Sequence, residues 1–521
     1  MAPLILLGNE VGAIFGFITH FIILIARYKN MYLAISMYFS IFIAKYKPMA
    51  LIGRQKETAI LNKMMASDKP EFVAVYGRRR IGKTFLIRNV FERKFTFRLT
   101  GLAQATLQEQ LANFNMAMQE QYPQAGRKNP DNWMEAFQQI RHVVEKSKQK
   151  KKVIFIDELP WFDTARAGFV HALEHFWNSW ASERKDILLL VCGSAASWMI
   201  NTLISNKGGL HNRVTQKIKI EPFTLKECKE LLAHKKITLD NYQLMQLYVV
   251  LGGIPFYWDA VEKGYSAAQN INKLCFESNG LLITEFNNLF KSLFAKAERH
   301  EAIVAAIAKK GKGLTREEIS VESKLADGGG LTRLLDELQE SGFIKRYTPF
   351  GKKSRNSLYQ LTDFFSLFHV KFIKGKNTFD KNHWLKMIDS PKQRAWSGYA
   401  FEQVCLAHSP EIKKALGISG VETEISMWKS SLSPNGAQID LVIDRRDGVI
   451  NICEMKFSIS PFIIDKKYDG ELRNKTGAFK SETQTKKSVF LTMITTFGLQ
   501  TNTYSGNVQN DLKMDILFDA V

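Results

Sequence analysis

Short runs of uninterrupted apolar residues recur along the first half of the chain, each closing on glycine or a polar residue. They are "FVAVY" (72–76), "VIFI" (153–156) and "ILLLVC" (187–192). Four or more apolar positions without alternation predict strands buried on both faces, as in a parallel sheet covered by helices. "FLIRNVF" (85–91) continues the first run as a helix. From about 223 to 295 the period becomes helical: Thr224 caps "LKECKELLAHKK" and "NYQLMQLYVVL" stops at a glycine pair. Residues 298–363 predict three helices, the second capped by Thr315 and the third ending at Gly342. Two strands follow, joined by the basic turn "TPFGKKSRNS". Near the end, "QIDLVID" alternates with period two, Asp447-Gly448 marks a hairpin turn, and "VINICEMKF" returns as the second strand.

Length and charge narrow the picture. A chain of 521 residues exceeds what one core supports, so several domains are expected. With 45% hydrophobic and 24% charged residues it reads as a folded protein. Against 51 Asp and Glu stand 72 Lys and Arg, a net charge of +21 that favours a polyanionic partner, DNA or an anionic membrane. Five scattered cysteines without a C-x-x-C pair predict neither a disulfide framework nor a structural zinc site, and fit a reducing, cytoplasmic setting. The apolar runs at 11–26 and 31–44 are each shorter than the about 20 residues of a spanning helix, and no basic region precedes them. Residues 1–48 read as an apolar extension ahead of a start at Met49, the alternative being a short membrane hairpin.

The first apolar run leads into Gly77-x4-Gly82-Lys83-Thr84, the G-x-x-x-x-G-K-[ST] phosphate loop. Its backbone N–H groups, over Gly77, Arg78, Arg79, Arg80, Ile81 and Gly82, close around phosphates. Lys83 reaches the outer phosphates, Thr84 offers a hydroxyl to Mg²⁺, and the helix N-terminus faces the anion. Asp157 ends the second run, where a carboxylate holds the metal, and Glu158 follows, placed to polarise the attacking water. Ser194 ends the third run and suits a sensor of the γ-phosphate, or is plain Gly-Ser turn chemistry. Arg213 would stabilise transition-state charge in cis or across a subunit contact of a homo-oligomer, or serve a structural ion pair. "HALEH" (171–175) matches a zinc-peptidase signature, but its setting between nucleotide-binding strands favours a surface helix.

Together "LIGRQKE", "VYGRRRIGKTFL", "VIFIDELPW", "LLLVCGS" and "GGIPFYW" resemble the archaeal-type ATPase family, AAA/STAND-related P-loop ATPases that also occur in bacteria. The resemblance runs from Met49 through most of the chain. It implies an α/β P-loop NTPase core (49–222), a helical lid (223–295), a winged-helix domain (296–363) and a C-terminal α/β domain (364–521). It also implies ATP as ligand, with Arg54 and Glu57 near the base and Gly253 and Pro255 approaching the nucleotide from the lid. On a winged helix, Lys345, Arg346, Lys352, Lys353 and Arg355 would contact DNA phosphates; otherwise the module packs against protein.

The C-terminal hairpin carries Asp440-x13-Glu454-x-Lys456. Glu454 and Lys456 are two apart and share a strand face. Carboxylates on adjacent strands suit Mg²⁺, and a lysine beside them would activate water against a phosphodiester. The pattern resembles the restriction-endonuclease-like superfamily, which implies such a fold for 364–521, with Glu402 as an additional acid. Two functions stay open: a DNA-associated ATPase whose nucleotide state controls a Mg²⁺-dependent nuclease, and an ATP-driven switch or scaffold that binds a partner or nucleic acid without cutting it.

Overall fold

The computed structural model describes residues 51–520 except 125–128, 165, 205–209, 211, 295, 311–312, 353–355, 376–380, 431 and 433–436. The apolar runs before residue 51, and Lys353 and Arg355 of the basic turn, lie outside the described residues. The chain divides into Met1–Ile52 and Gly53–Val521, and the elements below belong to the second unit. Among the described residues no helix is long and apolar enough to cross a membrane.

Helix α1 (Gln55–Ala66) precedes a five-stranded, all-parallel sheet of β1 (Glu71–Gly77), β2 (Phe95–Thr100), β3 (Lys152–Asp157), β4 (Ile187–Gly193) and β5 (Gln216–Ile220). The order across the sheet is β2-β3-β4-β1-β5. Strands β3 and β4 are buried along their whole length, as their unbroken apolar runs require. Helix α2 (Lys83–Phe91) leaves β1; α3 (Leu107–Gln121) and α4 (Trp133–Lys146) join β2 to β3; α5 (Phe169–Ser179) joins β3 to β4. Aromatic side chains of these helices (Phe114, Trp133, Phe137, Phe169, Phe176, Trp177) fill one core with Phe72, Phe97, Ile154 and Leu189. Each such side chain, removed from water, contributes about 1.5–3 kcal/mol.

The strand order positions the chemistry. Because β4 sits between β1 and β3, their C-terminal ends lie side by side: Tyr76 pairs with Gly193, and Ile156 with Val191. The loop after β1, Ser194 after β4 and Asp157–Glu158 at the end of β3 therefore converge on one edge, the usual ligand side of a parallel sheet.

A helical stretch follows: α6 (Leu225–His234), α7 (Asn241–Leu251), α8 (Pro255–Asp259), α9 (Ala267–Phe276) and α10 (Glu285–Leu293). Thr224 and Glu227 form a reciprocal capping box at the start of α6, and Gly252 ends α7 by donating its N–H to Tyr248 O. Three helices, α11 (Ala297–Lys309), α12 (Arg316–Ser323) and α13 (Gly329–Glu340), then lead into the antiparallel pair β6 (Ile344–Tyr347) and β7 (Leu358–Leu361). Between those strands Phe350 donates its N–H to Met427 O at 2.7 Å, and its ring lies 5.2 Å from that of Phe479. The turn is thus docked on the C-terminal region.

That region begins with the short helix α14 (Phe364–Phe368) and the long helix α15 (Pro391–Ala407). An antiparallel meander follows, of β8 (Thr423–Lys429), β9 (Gln438–Arg445) and β10 (Val449–Lys456). Helix α16 (Lys466–Thr483) crosses over to β11 (Ser488–Thr495), parallel to β10, and β12 (Asn510–Lys513) adds a parallel edge. Leu472 and Phe479 of α16 pack with Val442, Ile450 and Ile452. Cys453 points to the opposite face, where Cys405 of α15 lies near it.

Candidate functional site

At the sheet edge, three predicted side chains form one hydrogen-bonded chain. Lys83, buried at the start of α2, donates to Gly77 O at 3.1 Å, Arg78 O at 2.8 Å and Ser194 Oγ at 3.0 Å. Ser194 in turn donates through Oγ to Glu158 Oε1 at 2.9 Å and through its backbone N–H to Glu158 Oε2 at 3.3 Å. The other two predicted groups pair beside this chain: Thr84 Oγ1 donates to Asp157 Oδ2 at 2.9 Å, while Asp157 Oδ1 accepts the Glu158 N–H at 3.0 Å. Burial pulls the Lys83 pKa below its ordinary value, and the Glu158 and Asp157 charges oppose that pull. Glu158 holds a left-handed backbone (φ +49°, ψ +48°), which turns the chain out of β3 and brings its carboxylate back to Ser194. A non-glycine residue held there carries strain of the kind found at functional sites.

The neighbouring arginines send their side chains elsewhere. Arg78 is buried and donates to Asp363 Oδ1 at 2.5 Å, its guanidinium 4.7 Å above the Phe343 ring. Burial works against the Arg78 charge, yet Asp363 more than offsets it and the pKa is raised. Arg80 pairs with Glu285 Oε2 at 2.5 Å and lies over the Phe256 ring at 4.3 Å. The segment meant to wrap phosphates is thereby tied to α10 and to the start of α14. Arg79 is half-buried and Ile81 buried. Arg54 reaches the same loop, donating to Ile81 O at 3.2 Å and Glu221 O at 2.7 Å, and it pairs with Glu57 at 3.7 Å.

Two glycines have plain steric reasons. A Cβ on Gly77 (φ +142°) would meet Ile220 O at 2.5 Å. One on Gly253 would meet Phe223 O at 1.9 Å, because the two backbones exchange a hydrogen bond from Phe223 N to Gly253 O. Packing of the turn between α7 and α8 on the segment after β5 thus demands glycine at 253, and Pro255 opens α8 at its first position. Arg213 is exposed, its N–H bonded to Leu210 O. His171 and His175 stand exposed on α5, and among the described residues no three His, Cys, Asp or Glu side chains cluster to hold a metal.

The C-terminal hairpin carries the other set of predicted residues. Cys453 pairs with Leu441 at the end of the hairpin ladder, and Glu454 and Asp440 are the next positions beyond that pair. Glu454 is nearly buried, and both of its oxygens are engaged: Oε1 by Lys475 Nζ at 2.6 Å, Oε2 by the Tyr468 hydroxyl at 3.2 Å. Lys456 Nζ lies 4.8 Å over the Tyr468 ring. Asp440 and Lys456 are half-buried, and Asp440 accepts from the Gln438 amide. Glu402 lies on α15 within electrostatic range of Tyr399 and Tyr468. Exposed Lys345 and Arg346 border a cavity of about 740 Å³ shared with Arg78, Phe223, Gly253 and His408.

Sequence reasoning missed Asp363, Glu285, Tyr468 and Lys475. Their signals are faint but real. Asp363 is an N-cap before the apolar "FFSLF". Tyr468, Leu472, Lys475 and Phe479 make an i, i+4, i+7, i+11 stripe on α16 in which a lysine takes a core position.

Residues 51–260 match the family described as an ATPase domain predominantly from Archaea. An uncharacterised protein of Methanocaldococcus jannaschii is 26% identical over 396 residues, 75% of this chain and 83% of that one. Among solved structures, a Walker-type ATPase of Pyrococcus abyssi is similar at a TM-score of 0.45 and 14% identity, over 62% of this chain and 96% of that one. The ORC2 protein of Aeropyrum pernix, solved in ADPNP and ADP complexes, reaches 0.38 at 14% identity, over 62% and 94%. The family match and the geometry after β1, β3 and β4 agree: this segment carries a P-loop ATPase domain.

Proposed function

We propose, on the premise of that ATPase domain, that the protein is an ATP-hydrolysing switch whose nucleotide state acts on a nuclease-like C-terminal region. The observation that carries the switch is the Lys83–Ser194–Glu158 chain with Thr84–Asp157 beside it. A hydroxyl and a carboxylate side by side are hard oxygen donors, and they suit Mg²⁺. Bound there, ATP–Mg²⁺ supplies the reactive phosphoryl group and the charge that activates it. The chain's own residues do the rest. Lys83, now satisfied by loop carbonyls, turns to the outer phosphates. Ser194 reports that change to Glu158, since one hydroxyl contacts both. Glu158 orients the attacking water and accepts its proton. Wrapping phosphates moves residues 78–80, and the Arg78–Asp363 and Arg80–Glu285 pairs carry that movement to α14 and α10.

For the C-terminal region, the order helix, three-stranded meander, helix, parallel strand supports a restriction-endonuclease-like reading. So does the cross-strand placement of Asp440 and Glu454, with Lys456 next on that face. The donor set fits a divalent cation: two carboxylates on adjacent strands, one already drawing an ammonium to 2.6 Å. Such a metal would act as a Lewis acid on a phosphodiester, with Lys456 orienting the water. Docking of the β6–β7 turn through Phe350 supports a packing role for the three-helix module, leaving DNA contact to the C-terminal sheet. The test is plasmid nicking with Mn²⁺ and ATP, and its loss in Lys456→Ala. If no nucleotide condition yields cleavage, the alternative holds: a switch or scaffold that binds a partner or nucleic acid without cutting it.

A further inference from the structure

We propose that the Lys475 ammonium is a built-in competitor for the divalent cation at Glu454, drawn away when a DNA phosphate enters, so that metal and DNA bind the C-terminal site together. The inference rests on the reading of Asp440, Glu454 and Lys456 as a metal-dependent site.

The helix α16 puts one stripe on the sheet. Leu472 and Phe479, in that stripe, are 3% and 0% exposed. Lys475 lies between them, and its side chain is 25% exposed. From there Nζ reaches Glu454 Oε1 at 2.6 Å. A lysine there costs side-chain entropy and apolar contact, and what it secures is neutralisation of a nearly buried carboxylate. Tyr468, two helical turns earlier on the stripe, donates to the other oxygen. Each Glu454 oxygen therefore already accepts one hydrogen bond. Magnesium bonds oxygen at about 2.0–2.1 Å, so a metal on Glu454 would stand against the ammonium and the two cations contend for one carboxylate charge.

Charge decides when the exchange is favourable. Lys456 already stands 4.8 Å over the Tyr468 ring. A divalent cation added beside two ammonium groups meets strong like-charge repulsion in a half-buried site. A phosphodiester anion relieves it: the partly exposed Lys475 turns to the phosphate, and Glu454 is released to the metal. Metal and DNA then raise each other's affinity by the same factor.

The experiment titrates Mn²⁺ into the full chain without nucleotide, reading free Mn²⁺ by electron paramagnetic resonance. Arms carry no addition, a phosphorothioate DNA duplex, or inorganic phosphate, and Asp440→Asn locates the site. We expect Lys475→Met to bind Mn²⁺ at least about tenfold tighter than the wild type without DNA. The duplex should raise wild-type affinity by a similar factor and that of Lys475→Met by less than about threefold. Lys475→Gln, which still donates to Glu454, stands in if methionine unfolds the region, and must show the same direction of change. Equal Mn²⁺ affinity in wild type and both variants, still lost in Asp440→Asn, would overturn the competitor while leaving the metal site intact. No Asp440-dependent binding in any of them would overturn the site and the competitor together. A full gain from inorganic phosphate alone would overturn DNA as the trigger.

Discussion

Changing Asp363 to asparagine isolates the charge that ties the phosphate loop to the segment after β7. Asparagine keeps an acceptor for the Ser366 N–H, which Asp363 Oδ2 now takes at 2.9 Å, so the cap of α14 survives. What is lost is the counter-charge of Arg78, only 6% exposed, whose Nε and Nη2 have no hydrogen-bond partner among the described residues. Breaking a buried pair by removing one partner costs about 3–5 kcal/mol. The low end applies, because Glu285 also lies within electrostatic range of Arg78 and the Phe343 ring still faces the guanidinium. About 3 kcal/mol in local opening is a little over two decades in amide exchange rate. Native-state hydrogen exchange over 362–368 reads this directly, through the Thr362 N–H on Phe343 O and the Leu367 N–H on Asp363 O. Arg78→Met should produce a comparable loss, and the double variant should fall short of the sum by about 2 kcal/mol. Exchange unchanged within about twofold in both single variants, or strictly additive effects, would refute the reasoning.

Lys83→Ala should weaken binding of a fluorescent ATP analogue by about tenfold to a hundredfold, the worth of charge-assisted bonds to phosphate, as read by titration. Glu158→Gln should lower ATP turnover by about 10²–10⁴ while leaving nucleotide affinity nearly unchanged; Ser194→Ala should fall between, and a wild-type rate in Glu158→Gln would exclude that residue as the base. Acid should destabilise the protein through His408, which accepts the Leu225 N–H on Nε2 and donates from Nδ1 to Val404 O. Burial holds its pKa down at about 4, against about 6.5 when unfolded. The unfolded state therefore binds the proton more readily, and this stability is complete above about pH 6.5 and lost as pH falls toward 4. His369, lowered to about 4 by burial and then by Lys374, adds in the same direction. At pH 5 each should cost about 2 kcal/mol, seen as a lower urea midpoint than at pH 7, and His408→Gln should blunt the drop.

The ATPase half of the site was legible because its signals are local. Gly77 to Thr84 is contiguous, and Asp157, Glu158 and Ser194 each follow an apolar run that can only be a buried strand end. Thr224 and Thr315 announced their helices for the same reason, since a capping box closes within three residues. The strands β2 and β5 were not foreseen; "FTFRLT" and "QKIKI" mix polar and apolar positions as edge strands do. The basic turn after β6 was expected on DNA, and no local pattern signalled that its Phe350 is held by Met427 and Phe479, which lie 77 or more positions away in the chain.

By itself the sequence marked the candidates for phosphate and metal chemistry, because that chemistry is written in short spacings the backbone must obey. Tertiary structure alone decided which of them touch. The insertion of β4 between β1 and β3 brought Ser194 between Lys83 and Glu158. Hairpin register brought Asp440 and Glu454 to the positions just past the Cys453–Leu441 pair. Arg78 met Asp363 across 285 positions and Arg80 met Glu285, while Lys475 reached Glu454 from the next helix. Such partners are selected by burial: once packing removes a charge from water, the nearest opposite charge is required, and only the folded chain says which one that is.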